Sequence, residues 1–403
     1  MTEKDKFEKQ AEIEQNAVII KEGIDHHFGG ITDPRRPRGV TYKLLDIFFM
    51  TLCAVLSGAE TVEAIAIYAK EKKDWLKGFL NLAGDVPSYN TFWWVFVLIR
   101  PADLQECFVQ WAKTVAPLSK GEGIAIDGKA LRGTADPDNP NSFVHMVSAW
   151  ASNSNFTLGQ LKVEGKSNEI TAIPKLLDMI DIKDAVVTID AIGCQTKIAA
   201  KIVDAGGDYI LAVKENQPNL YDEIEHYFNN VSDSELELAE CKLFESDNTE
   251  EKEKHGRIEK RKVYTTGAIE ELLPQMHEWK GLKSIVCVHS FRTIKEKTTD
   301  ERRYYISSLV PEPERLGNGI RSHWGVENKV HWILDVGFLE DKLKAKAGFI
   351  AENLAVVRHI ALNLLKKDTT TKYSVANKRL KAALNPDYLP QLLKGLVTVR
   401  GKK

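Results

Sequence analysis

The 403-residue chain is poor in cysteine, and the five it has are scattered: Cys53, Cys107, Cys194, Cys241 and Cys287. No CxxC occurs and no Cys/His pair has zinc spacing, which excludes a zinc ribbon or a disulfide scaffold and favours a reduced, cytoplasmic setting. The N-terminal MTEKDKFEKQ has no apolar core, so no signal peptide is expected. Long hydrophobic runs are missing too. The most apolar stretch, Leu44 to Ala59, is interrupted by Asp46 and is too short to span a bilayer, so it reads as a buried helix and no membrane partner is expected. An excess of positive charge is likewise absent: the formal net charge is −2, which excludes a polycationic DNA coat and confines any nucleic-acid surface to a local patch. The charged and hydrophobic fractions are those of a soluble globular protein, long enough for two or three domains.

Against this background two short stretches share one design. Ile124-Ala-Ile-Asp-Gly-Lys-Ala-Leu-Arg-Gly133 reads as a buried strand that ends in Asp127, and Ala185-Val-Val-Thr-Ile-Asp190-Ala-Ile-Gly193 repeats the pattern. A carboxylate beside a core is costly unless it is paired or holds a metal. Two of them at two strand ends suggest a divalent cation between them.

Around these strands the period changes in blocks. Residues 1 to about 30 are polar and weakly helical, ending in His26-His27, which reads as a surface pair. Asp33-Pro-Arg-Arg-Pro-Arg-Gly39 is either a solvated linker or a phosphate-contacting arm. From Tyr42 to Lys120 the pattern is helical, with helices expected at 41–58, 60–70, 72–82, 88–98 and 101–115. Ser88 is placed to cap one of them, Pro101 opens another, and Trp75, Phe92, Trp93, Trp94 and Trp111 read mostly as core. After Lys120, strands are expected at 123–129, 143–151 and 156–163, then helix 169–181, strand 185–190, helix 195–206 and strand 208–214. Three meandering strands followed by alternating α and β elements give a mixed sheet covered by helices. The ribonuclease-H-like fold has this order, and in it the strands bearing Asp127 and Asp190 are neighbours. Residues 219–229 are helical, 230–256 are charged and read as loop, and strands follow at 255–264, 283–290 and 303–309 as a β-rich insertion. In that insertion Arg257, Lys260, Arg261 and Lys262 form either a DNA-facing strand face or ordinary edge-strand charges. The expected division is 1–118 helical and DNA-binding, 119–218 first part of the core, 219–312 insertion, and 313–403 second part of the core.

A third acid lies in residues 316–335. Glu327 stands four residues from His323 and from His331, and Asp335 four beyond, so all four share one stripe of a helix. Flanked by Trp324 and Trp332, that stripe is either a catalytic face or a buried polar network that positions elements. A helix at 349–367 and smaller ones follow, and the chain closes on the basic Arg400-Gly-Lys-Lys403.

Asp127 in IDGK, Asp190 in TIDAIG and Glu327 in SHWGVENKVHW together resemble the DDE transposases of bacterial insertion sequences, above all the ISAs-type family with its H-repeat-associated proteins. Lys166-Ser-Asn-Glu-Ile170, Val213-Lys-Glu-Asn-Gln217, His255-Gly-Arg257, His331-Trp-Ile-Leu-Asp-Val-Gly-Phe338 with Glu340-Asp341, and Glu352-Asn-Leu-Ala355 extend the likeness over about residues 20–390. The resemblance implies a ribonuclease-H-like catalytic core with a β-rich insertion before the Glu-bearing helix. It implies Asp127, Asp190 and Glu327 as catalytic residues and as ligands of two Mg²⁺ ions, with Mn²⁺ as substitute. It also implies double-stranded DNA, both terminal inverted repeat and target, as partner, and a homodimer assembled on that DNA. Phosphate-contacting or acid-orienting residues are expected at Lys129, Lys214, Arg257, Arg321, His323, Lys329 and His331. Where related enzymes carry Tyr, Arg and Lys around the Glu, this chain has Ile320, His323 and Leu334, and Lys344 and Lys346 stand where arginines often follow the Glu-Asp pair. The rival expectation is a decayed or domesticated relative that binds DNA without cutting it.

Overall fold

The apolar run from Gly123 does form a strand, and the sheet grows from it on both sides. A computed structural model describes residues 3–38, 40–82, 84–139, 142–164, 168–230, 242–247, 257–269, 276–294 and 297–397. Strand β1 (Gly123–Leu131) pairs antiparallel with β2 (Val144–Ala151), which pairs antiparallel with β3 (Phe156–Lys162). On its other side β1 runs parallel to β4 (Val186–Ile189), and β4 parallel to β5 (Asp208–Val213). The β-branched, fully buried Ile124, Ile126, Val187 and Ile189 fill this centre, as expected of strands covered on both faces. The order β3-β2-β1-β4-β5 is the ribonuclease-H-like arrangement expected from the sequence.

The β-rich insertion continues that sheet. β9 (Lys297–Ser307) pairs antiparallel with β5 and is followed outward by β8 (Ser284–Ile294), β7 (Arg257–Thr266) and β6 (Lys242–Asp247), giving nine strands in one sheet. β6 lies inside the stretch expected to be loop. Its Lys242 and Glu245 are charges of an outermost strand, with Glu245 3.2 Å from Lys262 of β7, and such charges keep an edge from pairing with another chain. The loop expectations at 231–241 and 248–256 and the closing basic tail lie outside the described residues, as do Lys166, Ser167, His255 and Gly256 of the family motifs.

Helices α1 (Glu3–Phe28), α2 (Leu44–Leu56), α3 (Val62–Glu71), α4 (Lys73–Leu76), α5 (Tyr89–Leu98) and α6 (Pro101–Val115) make up the N-terminal region. Ser88 caps α5 by accepting from Thr91 N–H, and Pro101 opens α6. α2 is buried along nearly its whole length, Asp46 included, so it is a core helix as its composition requires. Two aromatic and histidine expectations fail: Trp94 is 56% exposed and His27 is buried. Helices α7 (Glu169–Met179), α8 (Thr196–Asp204) and α9 (Pro218–Asn230) alternate with the later strands. After the insertion come α10 (Pro313–His323), a π-helical segment (Glu327–His331), α11 (Trp332–Gly337), α12 (Ile350–Lys367), α13 (Val375–Leu384) and α14 (Tyr388–Leu393). The long α12 is buried from Ile350 to Leu365 and packs on α2, α5 and α6 as well as on β3. Asn353 of α12 donates to the carbonyls of Phe96 and Ile99, each at 2.9 Å, so the first and last helices share a single core. Among the described residues no helix is long and apolar enough to cross a membrane.

Candidate active site

Parallel register brings the first two acids together. Ile126 of β1 is level with Ile189 of β4, so Asp127 and Asp190 are the next residues on adjoining strands, which lie about 4.8 Å apart in a sheet. Asp127 still belongs to β1, whereas Asp190 starts the turn after β4. The Asp127 Oδ1 accepts from Gly128 N–H at 2.9 Å. Burial, and then the charges of Asp190, Glu169 and Glu327, push Asp127 up to about 7. Asp190 is raised as well, by burial and by Glu169, against the opposing pull of the Gly193 and Ile192 amides and of Lys214. Two aspartates that resist ionisation side by side are short of positive charge.

The third acid comes from the helix that lies over these strand ends. His323, Glu327, His331 and Asp335 were expected on one α-helical stripe. The structure keeps the stripe but changes the helix. Eight residues at 3.6 per turn overshoot two turns by about 80°, so an α-helix would carry His331 well round from His323. The π-helical turn at Glu327–His331 absorbs the surplus residue. His323 Nδ1 reaches Thr188 Oγ1 on β4 at 2.9 Å, His331 Nδ1 stands 3.5 Å from Asp127 Oδ2, and Asp335 Oδ1 is 2.6 Å from Lys129 Nζ. On the adjoining face, one residue round the helix, Val326, Val330, Leu334 and Phe338 are fully buried at the same four-residue step. Gly325 lets the helix sit this low, because a Cβ there would come within 2.7 Å of the Trp150 ring. Glu327 itself is solvent-exposed, on a cleft of about 820 Å³ whose walls also include Asp127, Asp190, Lys214, His323 and Trp324. A second cleft of about 590 Å³, on the insertion side, shares Glu327 and Trp324 with the first and adds Arg261, Arg292 and Arg321.

The expected phosphate contacts divide into two groups. Lys214 lines the acid cleft and Arg321 the adjoining one, while Lys329 is exposed with its ammonium 5.6 Å from the centre of the Trp150 ring. Arg257 opens β7, and its side chain lies outside the described residues. Lys129, by contrast, has three carboxylate partners: Asp335 at 2.6 Å, Asp341 at 3.3 Å and Glu340 at 3.4 Å. It ties β1 to the end of the Glu-bearing helix and is not turned toward the cleft. His323 and His331 are both pushed down to about 4 by burial, so each is neutral at neutral pH and neither supplies a cation to phosphate. The His331–Asp127 contact is accordingly not an ion pair.

Three features escaped the sequence reading. Glu169, the first residue of α7, pairs with His145 of β2 at 2.9 Å and bears on both aspartates. Glu340 of the Glu-Asp pair is buried against Lys129 and lies 3.9 Å from Arg358 of α12, so that pair is an anchor below the cleft. Trp324, 41% exposed, carries the Arg303 guanidinium 4.7 Å over its ring at the junction of the two clefts. The signal for a non-standard helix was in the sequence: an α-helical apolar stripe alternates steps of three and four, and 326-330-334-338 takes only fours.

The donors suit a hard divalent ion: the acids are oxygen ligands and the local charge is uncompensated. Among the described residues, however, no three His, Cys, Asp or Glu side chains already stand close enough to hold one ion. The acids surround a cleft without yet converging on a point.

A model described as "Transposase DDE domain" matches residues 118–364, and one described as "DDE_Tnp_1-associated" matches residues 26–112. The chain is 40% identical over 374 residues to the H repeat-associated putative transposase YhhI of Escherichia coli K12, covering 92% of this chain and 97% of that one. It is 38% identical over 371 residues to the putative transposase YncI of Escherichia coli O157:H7, covering 90% and 92%. A 65-residue stretch is 35% identical to a protein named inactive transposase YbfQ, from Escherichia coli K12, covering 16% of this chain and 77% of that one. Among solved structures, a piggyBac transposase synaptic complex with hairpin DNA aligns at 10% identity with a TM-score of 0.44, covering 93% of this chain and 81% of that one, too distant a likeness to carry any inference. With the strand order, the acid-lined cleft and these matches in agreement, the chain belongs to the DDE transposases, in the group of the H-repeat-associated proteins.

Proposed function

We propose that the protein cuts and joins DNA at the ends of an insertion sequence, with Asp127, Asp190 and Glu327 as the catalytic, metal-holding residues. One observation carries this reading. The register of β1 on β4 makes the two aspartates neighbours at the mouth of a cleft that Glu327 also lines. Two divalent cations, Mg²⁺ with Mn²⁺ as substitute, would supply Lewis-acid stabilisation of the attacking and leaving oxygens. Asp127, on which the charges of both Asp190 and Glu327 act, would hold the cations together with those two acids. Lys214 and Arg321 draw the phosphate backbone of double-stranded DNA into the two clefts. His323 and His331, held neutral, orient the acids without competing for charge. The helices of residues 1–118 bind the terminal repeat, the 219–312 insertion forms the outer wall of the DNA channel, and two copies assemble on DNA so that both ends are held together.

Asp127→Asn tests this. In a Mg²⁺ nicking assay on the repeats flanking the gene, the variant should lose cleavage while gel-shift binding persists. Equal cleavage by parent and variant removes the proposal.

A second reading, a relative that binds DNA but no longer cuts it, is favoured by the absence among the described residues of a ready-made cation cage. Full gel-shift binding by the parent, with no cleavage in either Mg²⁺ or Mn²⁺, would establish it.

A further inference from the structure

We propose that Glu169 is a fourth carboxylate of the cation site, oriented by His145 and admitted by the missing side chain of Gly128; this rests on the reading of Asp127 and Asp190 as cation ligands. The residue after the first catalytic acid is a glycine, and the turn need of an Asp-Gly pair does not account for it, because Gly128 lies inside β1, level with Val147. What it provides is space. A Cβ at Gly128 would fall within the carboxylate of Glu169 and 2.7 Å from His145 Nε2. The sheet thus gives up one side chain, directly beside Asp127, and an acid from another element occupies the room.

That acid is held from two sides. Glu169 is the first residue of α7 and follows Asn168, so its backbone position is fixed by the helix start. Its Oε1 is 2.9 Å from His145 Nε2, and its side chain is only 13% exposed. His145 is in turn fixed in β2, level with Ala130, and its carbonyl accepts from Val163 N–H at 2.8 Å. A solvated surface pair needs none of this packing. The negative charge of Glu169 reaches both Asp127 and Asp190. An acid placed there only for structure would work against its surroundings, since it adds repulsion to two buried carboxylates. A divalent cation reverses the sign of that contribution, and carboxylate oxygens are the ligands such an ion prefers. Glu327 comes from the helix over one face of the sheet, whereas Glu169, in the place a Gly128 Cβ would take, comes from the other, so the acids reach the strand ends from different elements.

The test is Mn²⁺ binding by the full chain without DNA, followed by calorimetric titration and by electron paramagnetic resonance of the bound ion. Glu169→Gln should weaken Mn²⁺ binding by at least the roughly 10–100-fold that loss of an outer-shell partner costs, and should change the resonance of the remaining ion. Glu169→Asp keeps the charge and the helix start but draws the carboxylate back by one methylene, and should weaken binding as well. It carries the test if the glutamine variant folds poorly. Asp127→Asn is run in parallel. If Asp127→Asn loses Mn²⁺ while both Glu169 variants bind it as the parent does, Glu169 is not a ligand and only this inference falls. If Asp127→Asn also binds Mn²⁺ like the parent, the cation-site reading falls with it. A lowered melting temperature with unchanged Mn²⁺ affinity in the Glu169 variants would make the residue structural and overturn the proposal.

Discussion

Asp127 sits where a carboxylate does not ionise freely. Its value near 7 means that the folded protein keeps a proton the unfolded chain has already released above pH 4. The folded state therefore binds more protons across pH 4 to 7, and the Asp127 contribution to stability falls as pH rises through that window and is fully lost above it. His323 and His331 act in the opposite sense. Both are held near 4, so the unfolded chain takes up protons that the folded one refuses, and their contribution is lost as pH falls from about 6.5 to 4. The difference between parent and Asp127→Asn isolates the aspartate. In chelator, we expect the variant to gain on the parent from pH 4 upward and to be more stable by over about 1 kcal/mol at pH 8, since each pKa unit is worth about 1.4 kcal/mol. Added Mn²⁺ should stabilise the parent and remove the difference. Denaturant melts at four pH values, with and without Mn²⁺, measure this; a difference that is flat with pH would contradict it.

At the level of elements, the Glu-bearing helix shows what one surplus residue does. A single-residue insertion accommodated as a π turn leaves the helix before and after it in register. Removing one exposed residue from the turn, Asn328, should restore plain α geometry while His323 stays on Thr188 and Asp335 on Lys129. We expect ΔAsn328 to melt close to the parent, to bind DNA and to keep Glu327 on the cleft, because Glu327 lies on the His323 side of the deletion, so cleavage should persist. A large drop in melting temperature would instead show that the turn holds the fold. The elements that were legible in the sequence are those with a strong period. The β1 and β4 strands declare themselves by β-branched runs ending in Asp, and α2 by an unbroken apolar sequence. β6 was not legible because its alternation is broken by the charges of an outermost strand. The π turn reads as α in the sequence because four residues differ from 3.6 by too little to show in one step, and only the repetition over four buried positions exposes it. Glu169 was invisible for another reason: nothing local records that a glycine 41 positions earlier has cleared a place for it.

Across the whole molecule, the acid-bearing sheet is enclosed between strands added at one side and helices from both ends of the chain. The insertion is joined to β5 through β9 by regular pairing, so it moves with the strands that bear the two aspartates. α12 joins the N-terminal helices to β3, with Asn363 accepting from Thr157 N–H at 2.9 Å and Asn353 holding α5. Leu362, fully buried in α12, tests that linkage. Leu362→Ala should cost about 2–5 kcal/mol. Hydrogen exchange should report the loss equally in α2 and in β1, as one cooperative unit requires; loss confined to the helices would show two independent bodies. This shared core also bears on how the protein is made. A ribosome that has passed Glu327 has already produced every acid of the cleft, yet the long helix that seals the interior beneath them is still unsynthesised. A transcript broken off before α12 would yield a product with its greasy inner surface bare, fit for proteolysis and not for folding.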